Sequence, residues 1–282
     1  MRYCFECGKK AIEGHYICDR CARNPFLNEK YRKFLAANRE KKAFLDTYTN
    51  KVFANFGNIN SGEMWDFLIK YHRYYEAKNR ITRLRIRRIL EKIPRDTNLF
   101  ILDIGFGYGD VLLNLEREGF QNLSGIDLSR RAVEYIKEKI PSGSFISGDF
   151  LNMTLKNNAF DIIIASEIME HIPVKSTYKA YEVISKALKE DGKVIFTVPL
   201  NENLETVTFR CPHGSLVNPN GHVREYTKDV MELELQFANF KIISEEFLYA
   251  PIDGNNLLKK TILRFLVGKK PVILLVEARR NR

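Results

Sequence analysis

The sequence predicts an α/β protein: a mostly parallel sheet with helices on both faces, preceded by a small cysteine-rich module and a helical segment. Three observations carry this reading. From Leu99 onward, apolar runs of strand length alternate with stretches of helical apolar periodicity. A glycine-rich turn stands between the first such run and the first such helix. Four of the five cysteines fall within residues 1–24, which hold little that would build an apolar core. A chain of 282 residues accommodates one full-sized α/β domain and an appendage, divided here as 1–24, 25–64 and 65–282.

The first module is defined by Cys4-x-x-Cys7 and Cys18-x-x-Cys21, two knuckles ten residues apart. Four thiolates at this spacing suit one tetrahedral zinc ion in a ribbon, a closed set that points to a structural metal. So short a segment cannot fold on apolar burial, so the metal would supply its folding energy. A disulfide pair and an iron–sulfur cluster are the alternatives, and Cys211 stands apart from the set.

Residues 25–98 read as helices rich in Lys, Arg and aromatics. In the last of them Ile86, Ile89, Leu90 and Ile93 form one apolar stripe, Arg80, Arg83 and Arg87 share another face, and Pro94 closes the helix. Residues 1–98 hold 22 Lys and Arg against 11 Asp and Glu, leaving 23 against 24 for the remainder, so the whole excess of +10 sits in the first third. Such a segment points either to an anionic partner, most simply RNA, or to a solvated basic helical face. No apolar run reaches membrane-spanning length and the N-terminus lacks a secretory pattern, so a cytoplasmic location is expected.

Strands are expected at 99–104, 122–126, 144–147, 160–165, 193–198, 241–248 and 271–277, with helices at 109–118, 130–140, 177–188 and 227–238. In parallel sheets ligands bind beyond the carboxyl ends of the strands, so the chemistry is expected there. The first such place is Asp103-Ile104-Gly105-Phe106-Gly107-Tyr108-Gly109-Asp110. Its glycines let the backbone turn tightly and approach a ligand. A dinucleotide fingerprint would want a small residue at position 110, which is Asp, and Asp103 suits a cationic ligand better than a pyrophosphate. Asp127 ends the second strand, either to accept ribose hydroxyls or to cap the next helix. After the third strand, Asp149 and Phe150 read as partners of an adenine amino group and ring, or as an ordinary turn.

From about Tyr71 to its end the chain resembles the class I S-adenosylmethionine-dependent methyltransferase superfamily, a Rossmann-like fold. Asp103, Gly105, Gly107, Gly109, Asp127 and Asp149 match that family's cofactor positions in order and spacing. The resemblance implies S-adenosylmethionine as cofactor and a seven-stranded sheet whose last strand, near Pro271–Glu277, runs antiparallel.

After the fourth strand, Ser166-Glu167-Ile168-Met169-Glu170-His171-Ile172 is similar to the stretch that lines the reactive cleft in the quinone-biosynthetic branch of that family. Ser166 is accordingly counted with the cofactor residues, and His171 is a candidate general base or a structural residue at a helix start. The long 200–226 loop adds His213 and a Gly-His-x-Arg-x-Tyr-Thr run, Gly221 to Thr227, which resembles a segment near the acceptor pocket of the same branch. His222 and Tyr226 are candidates there, the alternative being that Arg224 and Tyr226 brace the loop while Thr227 caps a helix.

No Asn/Asp-Pro-Pro-Tyr tetrapeptide, the family's signature for methylating exocyclic amines of bases, is present. The cleft residues therefore favour a small-molecule acceptor, whereas the zinc module and basic first third favour RNA or protein. One family of ribosomal-RNA methyltransferases resembles this chain in architecture alone. A cofactor-binding regulator without turnover is the third reading.

Overall fold

The computed structural model describes Gly62, Trp65, Asp66 and residues 80–200, 202–204, 209–210, 216–217, 221–249 and 271–281. The four knuckle cysteines, Cys211 and His213 lie outside them. The chain forms two compact units, one of Met1–Met64 with Asn203–Val223 and one of Trp65–Glu202 with Arg224–Arg282. Of the first, the described residues are Gly62, 203–204, 221–223 and a short antiparallel pair, Phe209–Arg210 with Leu216–Val217.

The second unit holds the sheet. Helix α1 (Arg80–Glu91) ends before Pro94, and turns its apolar stripe inward so that Ile89 and Ile93 are buried. Strands β1 (Ile101–Ile104), β2 (Leu123–Asp127), β3 (Ser144–Ser147) and β4 (Phe160–Ser166) follow, with α2 (Asp110–Arg117) and α3 (Arg130–Lys139) in the first two crossovers. Helix α4 (Val174–Ala187) leads directly into β5 (Leu188–Pro199), and α5 (Lys228–Phe237) precedes β6 (Phe240–Tyr249) and β7 (Pro271–Arg280). The spatial order is β3-β2-β1-β4-β5-β7-β6. Strands β1 to β5 are parallel, and β7 runs antiparallel to both β5 and β6.

Alternation along the strands sends side chains into two cores. Leu102, Ile104, Ile163, Ala165, Leu274 and Val276 join the layer under α4 and α5, with Tyr181, Phe196, Met231 and Leu235. Ile101, Ile162, Ile164 and Leu275 join the layer under α1, α2 and α3, with Leu112, Leu115, Val133 and Ile136. Burial on both faces is what a central parallel strand requires, and each such Leu or Ile contributes about 1.5–3 kcal/mol of apolar transfer. Chain order reverses between β1 and β4, so their carboxyl ends open the crevice where such sheets take ligands.

The largest boundary difference is in the fifth strand, expected at 193–198, which starts at Leu188. A register shift accommodates it, with Phe160 paired to Leu188 and Ile162 to Lys193, while Asp161 takes the Lys189 ammonium at 2.8 Å. The chain thus stays extended through a bulge.

Candidate active site

The glycine turn leaves β1 at Gly105, whose amide donates to the Ile126 carbonyl at 2.7 Å. Gly105, Gly107 and Gly109 all hold positive φ, at 70°, 56° and 72°. At Gly105 an added Cβ would stand 1.8 Å from Ile168 Cδ1, and at Gly109 2.4 Å from Ile136 Cδ1. At Gly107 it would meet nothing within 4 Å. Two glycines are therefore needed for packing, and the middle one borders open space into which its backbone faces.

Asp127 ties this turn to α3. Its carboxylate accepts the Gly107 amide and the Ser129 amide, each at 2.8 Å. Ser129 caps α3 by accepting from the Ala132 amide, and donates its own hydroxyl to Asp66. Asp66 also takes the Arg131 amide at 3.1 Å, so a residue ahead of α1 joins the cap. Burial pushes the Asp127 carboxyl up to about 6, against the pull of the Ser129 and Gly107 amides, and the charge of Asp66 adds to the rise. Asp103 is buried in β1 and raised well above the ordinary carboxylate range by that burial and by the charge of Asp127, with Arg85 opposing. Asp149 caps a short turn, accepting from the Leu151 amide at 3.0 Å and Asn152 Nδ2 at 2.7 Å, while Phe150 packs into the core.

The carboxyl end of β4 carries the second half of the site. Ser166 Oγ lies 2.8 Å from Thr197 Oγ1 on β5. Glu167 follows in a left-handed conformation, φ 55°, which non-glycine residues adopt only when their surroundings impose it. Here its amide donates to the Thr197 carbonyl at 2.9 Å, its carboxylate accepts the Thr197 hydroxyl at 3.0 Å, and Arg85 Nη1 of α1 pairs with it at 3.0 Å. Ile168 then covers Gly105, joining this segment to the glycine turn.

A single 3-10 turn, Met169–His171, presents Glu170 and His171. Glu170 is fully buried, with His171 Nε2 4.0 Å from its Oε1. Burial, then the neighbouring charge of Glu167, raises the Glu170 carboxyl well above its usual range, opposed by Arg85. The His171 imidazole meets the ring of Trp65 edge-on, 4.9 Å between centroids. The imidazole, one residue pair beyond the cover of the glycine turn and beside a buried carboxyl, can accept a proton from a group presented to it.

The Tyr226 side chain is wholly buried, its hydroxyl donates to Glu234 Oε2 at 2.9 Å and receives Arg224 Nη2, and Thr227 caps α5 by accepting from the Val230 amide. His222 is half-buried and falls in the Asn203–Val223 segment that groups with the other unit. Trp65, Asp66, Arg85, Glu167, Thr197 and Glu234 were not singled out by sequence reasoning. Only Trp65, the single tryptophan of the chain, carried a compositional signal.

Comparison with known proteins agrees with this arrangement. Residues 101–192 match a family described as "Methyltransferase domain". The chain is 38% identical over 181 residues to the EEF1A lysine methyltransferase 2 of Danio rerio, covering 61% of this chain and 69% of that protein. It is 24% identical over 165 residues to the ubiquinone biosynthesis O-methyltransferase of Vibrio cholerae, covering 54% and 65%. Among solved structures, a SAM-dependent methyltransferase from Archaeoglobus fulgidus superposes with a TM-score of 0.55 at 16% identity, over 74% of this chain and all of the other.

Proposed function

Since the chain belongs to the class I S-adenosylmethionine-dependent methyltransferases, we propose that its acceptor is a small molecule whose reacting group enters the recess of Glu170 and His171. S-adenosylmethionine supplies a methyl group on a positively charged sulfur. The glycine turn fits such a ligand, because Gly107 borders open space and Asp103 stands where the turn leaves β1. In this reading Gly105, Gly107 and Gly109 shape the cradle, Asp127 accepts the ribose hydroxyls, Asp149 and Phe150 meet the adenine, and Ser166 borders the cradle from β4.

The observation that carries the acceptor class is burial. Glu170 has no exposed surface and the His171 side chain keeps 13%, so the imidazole is the edge of the pair left to a reacting group. Methyl transfer is an in-line displacement, so alignment and exclusion of water do most of the work. His171 takes the proton where the acceptor carries one. The Vibrio cholerae relative is named for a small-molecule acceptor, in keeping with this assignment. Cys4, Cys7, Cys18 and Cys21 hold a structural zinc ion in the same reading. His213 and His222 remain acceptor-side candidates in the same reading.

A second reading rests on the 22 Lys and Arg against 11 Asp and Glu in residues 1–98, which suit RNA. Purified protein given methyl-labelled S-adenosylmethionine and a whole-cell lysate separates the two. Label in the low-molecular-weight or lipid fraction is the expected result. Label in RNA moves the acceptor to the basic first third, and label in protein moves it to a side chain, the acceptor class named for the Danio rerio relative; either result overturns the small-molecule assignment.

A further inference from the structure

We propose that Arg224, seated by Glu234, is a positioning residue for methyl transfer: it fixes the Met169–His171 turn through the Met169 carbonyl. The inference rests on the methyl transfer itself and not on the acceptor class.

The turn is short for the task of holding two functional side chains. It spans three residues and closes on itself with two bonds, His171 amide to the Ile168 carbonyl at 3.0 Å and Ile172 amide to the Met169 carbonyl at 3.2 Å. Upstream it is fastened by Glu167, held between Thr197 and Arg85. Downstream the fastening comes from the far side of the sequence. Arg224 Nε donates to the Met169 carbonyl at 3.2 Å, filling the lone pair that the Ile172 amide leaves.

The rest of the guanidinium is committed elsewhere. Nη1 pairs with Glu234 Oε1, Nη2 reaches Glu234 Oε2 at 3.3 Å and also the Tyr226 hydroxyl, and the plane lies 4.6 Å over the Tyr226 ring. Glu234 in turn accepts the Tyr226 hydroxyl at 2.9 Å and the Tyr181 hydroxyl at 3.0 Å. Tyr181 belongs to α4, the helix that leaves the turn, and Glu234 to α5. The Arg224 side chain is 10% exposed and that of Glu234 19%, so the fork works where water competes little.

A two-pronged arginine–carboxylate pair holds orientation as well as distance. With both prongs on Glu234, the third edge of Arg224 has one place to point, and that place is the turn that carries Glu170 and His171. A displacement of about 1 Å in such a support costs on the order of 100-fold in rate. Cofactor contacts assigned to β1 and β2 lie elsewhere and are untouched.

The test uses the full chain, saturating labelled S-adenosylmethionine, and a dilution series of whichever lysate fraction the wild type labels, together with cofactor Kd by calorimetry. Arg224→Met is expected to lower the plateau rate at least about 10-fold, leaving half-saturation and cofactor Kd within about 2-fold. Arg224→Lys recovers part of the loss, because an ammonium reaches the carboxylate or the carbonyl but lacks the fork. Glu277→Gln, on the opposite sheet layer, lowers Tm while keeping the plateau rate. A folded Arg224→Met with wild-type plateau overturns the inference, as does an equal loss in Glu277→Gln. If Arg224→Met does not fold, Glu234→Gln decides: a plateau reduced about 5-fold or more supports the inference, and a smaller change overturns it. Wild-type label appearing in RNA would overturn the acceptor assignment and leave this comparison intact.

Discussion

In the proposed function one side chain, Asp127, serves both fold and ligand. Its two oxygens hold the amide of Gly107 in the glycine turn and that of Ser129 at the start of α3, so the cradle is set before any ligand arrives. Each oxygen keeps a second lone pair, which is what ribose hydroxyls need. Its carboxyl titrates at about 6 rather than 3.8, because burial disfavours the charge. Cofactor affinity should therefore fall as pH drops through about 6, weakening about 10-fold by pH 5, where roughly a tenth of the carboxyls remain ionised. Calorimetric Kd across pH 5–8 measures this, and in Asp127→Ala the affinity falls more than about 10-fold and loses its pH dependence. The same raised value has a stability sign. Its contribution is full below pH 3.8 and is lost as pH rises through about 6.

Between elements, Glu277 performs the corresponding task. Lys92 beyond α1, Lys193 of β5 and Ser244 of β6 converge on this one carboxylate of β7, at 3.1 Å, 2.7 Å and in a short hydrogen bond respectively. Burial alone would raise its carboxyl, but the bonds from Lys193, Ser244 and Lys92 outweigh that and hold it below 4.5. The sign is opposite to that of Asp127: the contribution is present above pH 4.5 and lost as pH falls through the lowered value. Glu277→Ala, which removes the carboxylate shared by two ammonium groups, should cost about 2–4 kcal/mol in urea unfolding at neutral pH. At pH 3 the difference from wild type should shrink.

Elements of this kind were legible in the sequence, because each strand and helix is written in a local period. The glycine turn was legible too, as a run of adjacent residues. The pairs Arg85–Glu167 and Arg224–Glu234, and the Trp65–His171 contact, were not. Each Arg sits in a basic or loop segment whose partner is chosen by the crossing of the chain and not by spacing. The start of β5 at Leu188, ahead of the expected 193, was not legible for a related reason, since a bulge is imposed by the neighbouring strand.

At the scale of the whole chain, the basic excess and the proposed zinc site fall at one end of the sequence and the methyltransferase domain at the other. Cys4→Ser should bring zinc content measured by atomic absorption from about one equivalent toward zero, since three thiolates hold the ion far less well than four. Calorimetry on the same preparation should return an unchanged cofactor Kd, and a parallel loss of cofactor affinity would mean that the two functions share their folding. Among the described residues no helix is long and apolar enough to cross a membrane. The sheet order carries a consequence for biosynthesis. Strand β7, made last of the seven, is placed between β5 and β6. Until a ribosome has released it, the nascent chain carries two open strand edges beyond those of the finished sheet, one on β5 and one on β6, that invite pairing with other chains. A message truncated before the codon for Pro271 would therefore yield a product bound for aggregation and proteolysis, although every cofactor position assigned above had already been translated.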